Sequence, residues 1–391
     1  MSAGNPSVIR HYFDWAATAI PCLPDGDSPE TASITGGRFI LGNPSSRHSE
    51  GRAAKEALEN ARQRCAQVLG VPPETLYWTS GGTEANCIAL YSNLFRPSGR
   101  IVSSRAEHSS IIENIDTLQR MGRAAGILQV DSIGRVTSQL LEQGLKKYGD
   151  IRFAAIMAVN NETGAITDIP AIRRTLDKYG GPPVHLHCDM VQALGKIKLN
   201  LDECDSASMS AHKIGGPRGS GLLYLKKPLE SLYSGGGQER KIRPGTENIA
   251  GAQAFALCME QCASEQAINS GHAPAVKRCG TLITALSEIE RCVLIPSCRA
   301  EYSDSFSPYI LQIGFKGIPG EVLVRALDDL GFAVSTGSAC SSAAPDRPVL
   351  AAMGIDEETR RLGIRISQGR TTSDDDIECL IAAIKGVLQY L

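Results

Sequence analysis

Residues 207–225 read Ala-Ser-Met-Ser-Ala-His-Lys-Ile-Gly-Gly-Pro-Arg-Gly-Ser-Gly-Leu-Leu-Tyr-Leu, and the fold is decided here. Ala207–Ser210 and Gly221–Leu225 are short apolar runs bounded by turn residues, the pattern of buried strands. Lys213 stands at the end of the first run, flanked by the hydroxyls of Ser208 and Ser210 and the imidazole of His212. A lysine in that setting suits an imine with a carbonyl cofactor. The glycines between 215 and 221 let backbone pass close to a ligand. Immediately upstream, another strand begins at Val184 and ends at Cys188-Asp189, with Gln192 one turn further on. An Asp at that point pairs with a pyridinium nitrogen and makes the ring an electron sink. Taken singly, Asp189 reads as a helix N-cap and Lys213 as a surface lysine; on successive strands they read together as a pyridoxal-phosphate site.

Further strand candidates are Leu76–Thr79, Arg100–Ser103, Ile127–Val130 and Phe153–Val159, with helical patterns such as Thr137–Lys147 and Ile169–Tyr179 between some of them. A helix capped by Ser49 carries Leu58, Ala61, Cys65 and Leu69 on one face and stops at Gly70. The alternation predicts an α/β fold, a mostly parallel sheet covered by helices on both faces. Ligands in such a sheet bind outside the carboxyl ends of the strands. Thr79-Ser80-Gly81-Gly82-Thr83 follows a strand and opens a helix, which fits a phosphate at the helix N-terminus as well as an ordinary turn. From Asn248 to Ile289 the pattern is nearly all helical. Beyond it Tyr309–Gly314, Phe332–Ser335 and Gly363–Ser367 are strand candidates, and the chain ends in a helix. The expected division is a large cofactor domain over 15–260 and a smaller α+β domain from 1–14 and 261–391.

With 42% apolar and 21% charged residues and a net charge of −2, the 391-residue chain can bury a sizeable core and carries no basic run for nucleic acid. No apolar stretch approaches the roughly 20 residues that span a bilayer, and Met1–Asp14 lacks a secretory pattern. A cytoplasmic protein is expected. The twelve cysteines contain no CxxC pair, so eleven read as reduced, buried thiols, Cys258 and Cys262 packing one turn apart. No metal site is expected.

Several motifs now stand in order: Tyr12-Phe13-Asp14-Trp15-Ala16-Ala17-Thr18, Gly42-Asn43-Pro44-Ser45-Ser46, the 79–84 turn, Glu107-His108, Val159-Asn160-Asn161-Glu162-Thr163-Gly164, the Asp189 and Lys213 segments, Arg243-Pro244-Gly245-Thr246, and Ser335-Thr336-Gly337-Ser338-Ala339-Cys340. In this the chain resembles, almost end to end, the NifS/IscS-type cysteine desulfurases of the class-V aminotransferase family. The resemblance implies a fold-type I large domain with a seven-stranded, mostly parallel sheet. It implies that Lys213 binds pyridoxal 5′-phosphate and shuttles the substrate α-proton, that Asp189 meets the pyridine nitrogen and Gln192 the ring hydroxyl oxygen, and that His108 stacks on the ring and acts in acid–base steps. It further implies that Gly82, Thr83, Ser210 and His212 hold the phosphate with Thr246 of a second subunit, hence a homodimer. Asn161 and Arg365 would hold the substrate carboxylate, the arginine by a bidentate fork.

Cys340 lies in Ser338-Ala339-Cys340-Ser341-Ser342, small polar residues unable to pack a core, which predicts a mobile segment within reach of solvent. Setting and motif favour a nucleophile that takes sulfur from L-cysteine as a persulfide, releasing L-alanine, and hands it to an acceptor. The segment after Cys340 is of the longer type, which suits the branch serving iron–sulfur scaffold proteins, whose members often extend beyond the position of Leu391. Cys22 to Gly37 reads as loop where the family has a helix. The competing readings are a selenocysteine lyase or an aminotransferase on the same fold, or a sulfur-transfer interaction protein without chemistry. Plainer roles stand beside some of these: His108 as a helix-start residue facing solvent, His185 and His187 as structural, Arg365 as an exposed strand residue, and Asp374–Asp376 as a solvated helix N-terminus.

Overall fold

A computed structural model of the protein describes residues 9–22, 42–337 and 347–391. Cys340, its neighbours 338–346 and the run 23–41 lie outside these residues. In chain order the strands are β1 (His11–Tyr12), β2 (Leu76–Thr79), β3 (Arg100–Ser104), β4 (Ala125–Leu128), β5 (Ile151–Met157), β6 (His185–Asp189), β7 (Ser206–Ser210), β8 (Gly221–Leu225), β9 (Cys292–Leu294), β10 (Ile310–Phe315), β11 (Phe332–Ala333) and β12 (Ile364–Ser367). The principal helices are α1 (Ser49–Leu69), α2 (Gly82–Tyr91), α3 (Ser109–Arg120), α4 (Ser138–Tyr148), α5 (Ile169–Lys178), α6 (Ile249–Cys262), α7 (Glu265–Ser287), α8 (Gly320–Asp329), α9 (Pro348–Ala352), α10 (Glu357–Leu362) and α11 (Asp374–Val387).

Seven strands form one sheet in the order β2-β8-β7-β6-β5-β3-β4. β8 runs antiparallel to both neighbours and the other pairs are parallel. Alternate residues point to opposite faces, and helices cover both. Trp78, Val102, Ala154 and Ile156 join a core with α1, α4, α5 and α6. Tyr77, Ile101, Phe153 and Ala155 join another with α2 and α3. A third core gathers Phe13, β10, β12 and the apolar faces of α7, α8 and α11. In it β10 lies between β9 and β12, antiparallel to both, while β1 pairs in parallel with β11.

The structure moves several boundaries. His48, not Ser49, caps α1, its ring accepting from the Gly51 N–H; Gly70 ends the helix at φ 68°, which glycine adopts without strain. β4 is Ala125–Leu128 rather than 127–130, because its register with β3 runs from Ile101–Ala125 to Ser104–Leu128 and β3 ends there. The strand expected over 332–335 is two residues long, with Ser335 bridging Arg365 singly. The uniform burial expected of the cysteines fails. Cys379 is exposed on the polar side of α11, and Cys22, Cys87, Cys292 and Cys298 are half-buried.

Candidate active site

β6 and β7 are neighbours in parallel register, Asp189 lying opposite Ser208, so the chain leaves the sheet at Asp189 and Ser210 along the same edge. Lys213 follows Ser210 within a single 3-10 turn. Asp189 is buried. Its Oδ1 accepts from the Val191 N–H at 3.0 Å and its Oδ2 from Asn86 Nδ2 at 2.9 Å. The carboxylate thus caps the turn that follows β6. Asn86 is fully buried on α2. It also donates to Ser110 Oγ, and its Oδ1 meets His187 Nε2 at 2.9 Å. His187 and His185 both reach Ser206 Oγ, and burial pushes His187 down to about 4. The two histidines are structural, as their alternation suggests, and His187 reaches the Asp189 carboxylate through Asn86.

Lys213 Nζ donates to the carbonyls of Ala16 and Ala17 at 2.7 and 2.8 Å. The 14–22 segment is laid against the lysine turn by Ala19 N–H to His212 O and Cys22 N–H to Gly215 O. Gln192 is buried and donates from Nε2 to Ala16 O at 2.8 Å. Ala16 O thus joins two of the residues that the sequence assigns to the cofactor. His212 Nδ1 meets Thr18 Oγ1 at 3.0 Å. Burial, then the Lys213 charge, push His212 down to about 4, so its ring is neutral at pH 7.

His108 caps α3. Its Nδ1 accepts from the Ser110 N–H at 3.1 Å, which leaves the proton of the neutral ring on Nε2. It is half-buried, so the helix-start role is real but does not turn the ring out to solvent. Beside it Glu107 is buried, and burial pushes its carboxyl up to about 8.

The phosphate reading finds a cradle. Gly81 has φ 154°, and its missing side chain would lie 3.8 Å from Ser210 Oγ. A Cβ on Gly82 would meet Val191 at 2.5 Å, and one on Gly221 would meet Gly81 at 2.5 Å. The N–H groups of Gly82 and Thr83 precede the first intrahelical bond, Ala85 N–H to Gly81 O, and so have no partner within the helix. The Ser80 N–H is taken by Glu84, which also pairs with Arg243. Thr246 lies exposed on the run before α6. A glycine-lined helix terminus beside Ser210, a lysine and a buried carboxylate at adjacent strand ends fit a phosphate-bearing pyridine aldehyde.

Arg365 is 2% exposed, which excludes the surface reading, while Ile364 and Ile366 face the third core. It donates to Asn161 O at 2.9 Å and Gly337 O at 3.2 Å, so the two residues assigned to the substrate carboxylate touch. Arg365 Nε and Asn161 Oδ1 are buried without a partner among the described residues, a donor and an acceptor left open to a ligand. Sequence reasoning missed Asp14, whose Oδ1 pairs with Arg365 Nη2 at 2.8 Å, and Asn86. Asp14 stood in a quoted motif, and Asn86 is the polar residue of an otherwise apolar helix segment. Asp374–Asp376 open α11 in a capping box with Ser373, as expected of a helix N-terminus.

The aminotransferase class-V family profile matches residues 12–380. A NifS/IcsS protein homolog of Lactobacillus delbrueckii subsp. bulgaricus is 35% identical over 97% of each chain. A cysteine desulfurase IscS of Pseudomonas aeruginosa is 34% identical over 94% of this chain and 90% of its own. A solved NifS-like protein superposes with a TM-score of 0.86 at 30% identity, covering 98% of this chain and all of the other.

Proposed function

The chain belongs to the class-V aminotransferase family and is, like its NifS/IscS relatives, a cysteine desulfurase; we propose that Lys213 carries pyridoxal phosphate and Cys340 receives the sulfur. The observation that carries this reading is the convergence at one sheet edge of Lys213, Asp189 and the glycine cradle, with an Arg365 Nε that has no partner among the described residues. Asp189 would meet the pyridine nitrogen, Gln192 the ring oxygen, and Gly82, Thr83, Ser210 and His212 the phosphate, with Thr246 supplied by a second copy of the chain in a homodimer. When bound, the cofactor supplies an electron sink for the pair released as the substrate Cα–H bond breaks.

The protein's own residues do the rest. Arg365 and Asn161 orient the carboxylate of L-cysteine, Lys213 Nζ takes the α-proton, and His108 exchanges a proton at Nε2. The Cys340 thiolate attacks the substrate sulfur, so that cysteine and the Cys340 thiol become alanine and a Cys340 persulfide. A free thiol titrates near 8.5, leaving only about a few per cent thiolate at pH 7 without such assistance. The sulfur then passes to an acceptor, an iron–sulfur scaffold or another protein. The eleven free cysteines of the described residues support a reducing, cytoplasmic setting. Separate cores under the large sheet and around β10 support dividing the chain into 15–260 and 1–14 with 261–391. The test is incubation with L-cysteine and a thiol, assaying alanine and sulfide together. Equimolar products that vanish in Lys213→Ala support the reading, and a keto acid with no sulfide would replace it with transamination.

A further inference from the structure

We propose that Lys196 is a positioning residue that fixes which end of the Gln192 amide faces the cofactor. This rests on the reading that Lys213 carries pyridoxal phosphate. Lys196 is 8% exposed and donates from Nζ to Gln192 Oε1 at 2.6 Å. The contact has Nζ donating to the amide oxygen, and the ammonium form, which a bound anion favours, has donors only, so with the ligand in place the oxygen must face Lys196 and the NH2 must face the other way. One of those two hydrogens goes to Ala16 O, the carbonyl that also accepts from Lys213 Nζ. The second is left for an anionic oxygen in the cleft. Were the amide reversed, its oxygen would confront that anion and its NH2 would confront an ammonium, two repulsive contacts in a dry site.

The backbone is built to hold Lys196 there. Gly195 has φ +70°, and a Cβ on it would meet Cys262 O of α6 at 2.8 Å, so the turn is docked on that helix. No carboxylate pairs with Lys196 among the described residues. The charged groups that bear on it are the cations Lys213, from the turn after β7, and Arg365, from β12, and burial with these charges pushes it down to about 7. A buried cation among cations costs stability in the empty protein. Its position is accounted for when an anion enters beside it.

The test compares Lys196→Met, Gln192→Leu and the double variant as holoenzymes, by titrating the yellow chromophore with pH in the absence of substrate. Loss of a charge-assisted hydrogen bond corresponds to a rise of about one pH unit in the midpoint for either single variant. If Lys196 acts through Gln192, the double variant shifts no further than the singles. Titration of apoprotein with pyridoxal phosphate should show about tenfold weaker binding for Lys196→Met. Apoprotein of that variant should melt no lower than wild type. A wild-type midpoint, an additive double variant, or a lowered apoprotein melting point would each overturn the proposal. Absence in the wild type of a chromophore that borohydride bleaches would instead overturn the assignment of Lys213.

Discussion

Replacing Glu107 with Gln should stabilise the apoprotein progressively as pH rises. Glu107 lies in the turn between β3 and His108, 3% exposed. Ser104 Oγ donates to its Oε1 at 2.9 Å, and its Oε2 is buried without a partner among the described residues. Burial, reinforced by the nearby charge of Asp189, pushes the carboxyl from 4.5 up to about 8. The folded chain therefore holds a proton that the unfolded chain has released. The stabilisation is complete below the unfolded value and is lost as pH rises through the folded one. Between pH 5 and 7.5 the wild type forfeits at most about 3 kcal/mol relative to a neutral isostere. With about 2.1 cal/mol/K of unfolding entropy per residue, that is a melting shift of about 4 °C for a chain this long. Apoprotein melting curves of wild type and Glu107→Gln at the two pH values provide the assay. The variant's advantage should grow by that amount from pH 5 to 7.5; an advantage that stays constant or shrinks would refute the reasoning.

Arg365→Lys keeps the charge but loses the fork that touches Asn161, Gly337 and Asp14, so KM for cysteine should rise about tenfold or more in a sulfide assay; an unchanged KM removes Arg365 from the substrate site. Cys340→Ser should abolish sulfide release while leaving the yellow absorbance intact, and full turnover would reject the nucleophile. Asn86→Leu strips the donor from Asp189 Oδ2, so apoprotein should bind pyridoxal phosphate about tenfold more weakly by fluorescence titration. Wild-type affinity there would show that the Asn86–His187 network supports only packing.

The sheet was legible because strands such as β2 and β8 are apolar runs buried along their length, and the candidate site because Asp189 and Ser210 end strands and Lys213 stands in the turn just beyond. What escaped the sequence was pairing between distant segments. Asp14 and Arg365 are far apart in the chain, and no periodicity predicts that the run after β1 approaches β12 closely enough for their ion pair. Asn86 was illegible because a polar residue in a helix declares itself only when its partners on β6 and α3 are in place. The cap of α1 was misassigned because Ser49 is the better capping type, whereas the ring of His48 makes the bond. Cys379 was misread because cysteine ordinarily packs inside, and its place on α11 depends on which face meets the third core.

The charges of the cleft bind these observations into one electrostatic design. Lys213, Lys196 and Arg365 bring three cations to it, and Arg218 lies near enough to help hold His212 neutral. Against them stand four carboxylates, of which burial pushes Glu107 up to about 8 and Glu162 up to about 7. Near neutral pH those two cannot serve as full counter-charges. Asp189 is occupied by Asn86 and the Val191 N–H, and Asp14 by Arg365. Lys196, pushed down to about 7, is likewise only partly charged near neutral pH, so the charges of the empty site nearly cancel, and a phosphate-bearing cofactor followed by a carboxylate-bearing substrate would draw Lys196 to its charged form. Burying the two glutamates, which keeps Glu107 mostly and Glu162 partly protonated near neutral pH, leaves donors aimed at the ligand while reducing carboxylate repulsion.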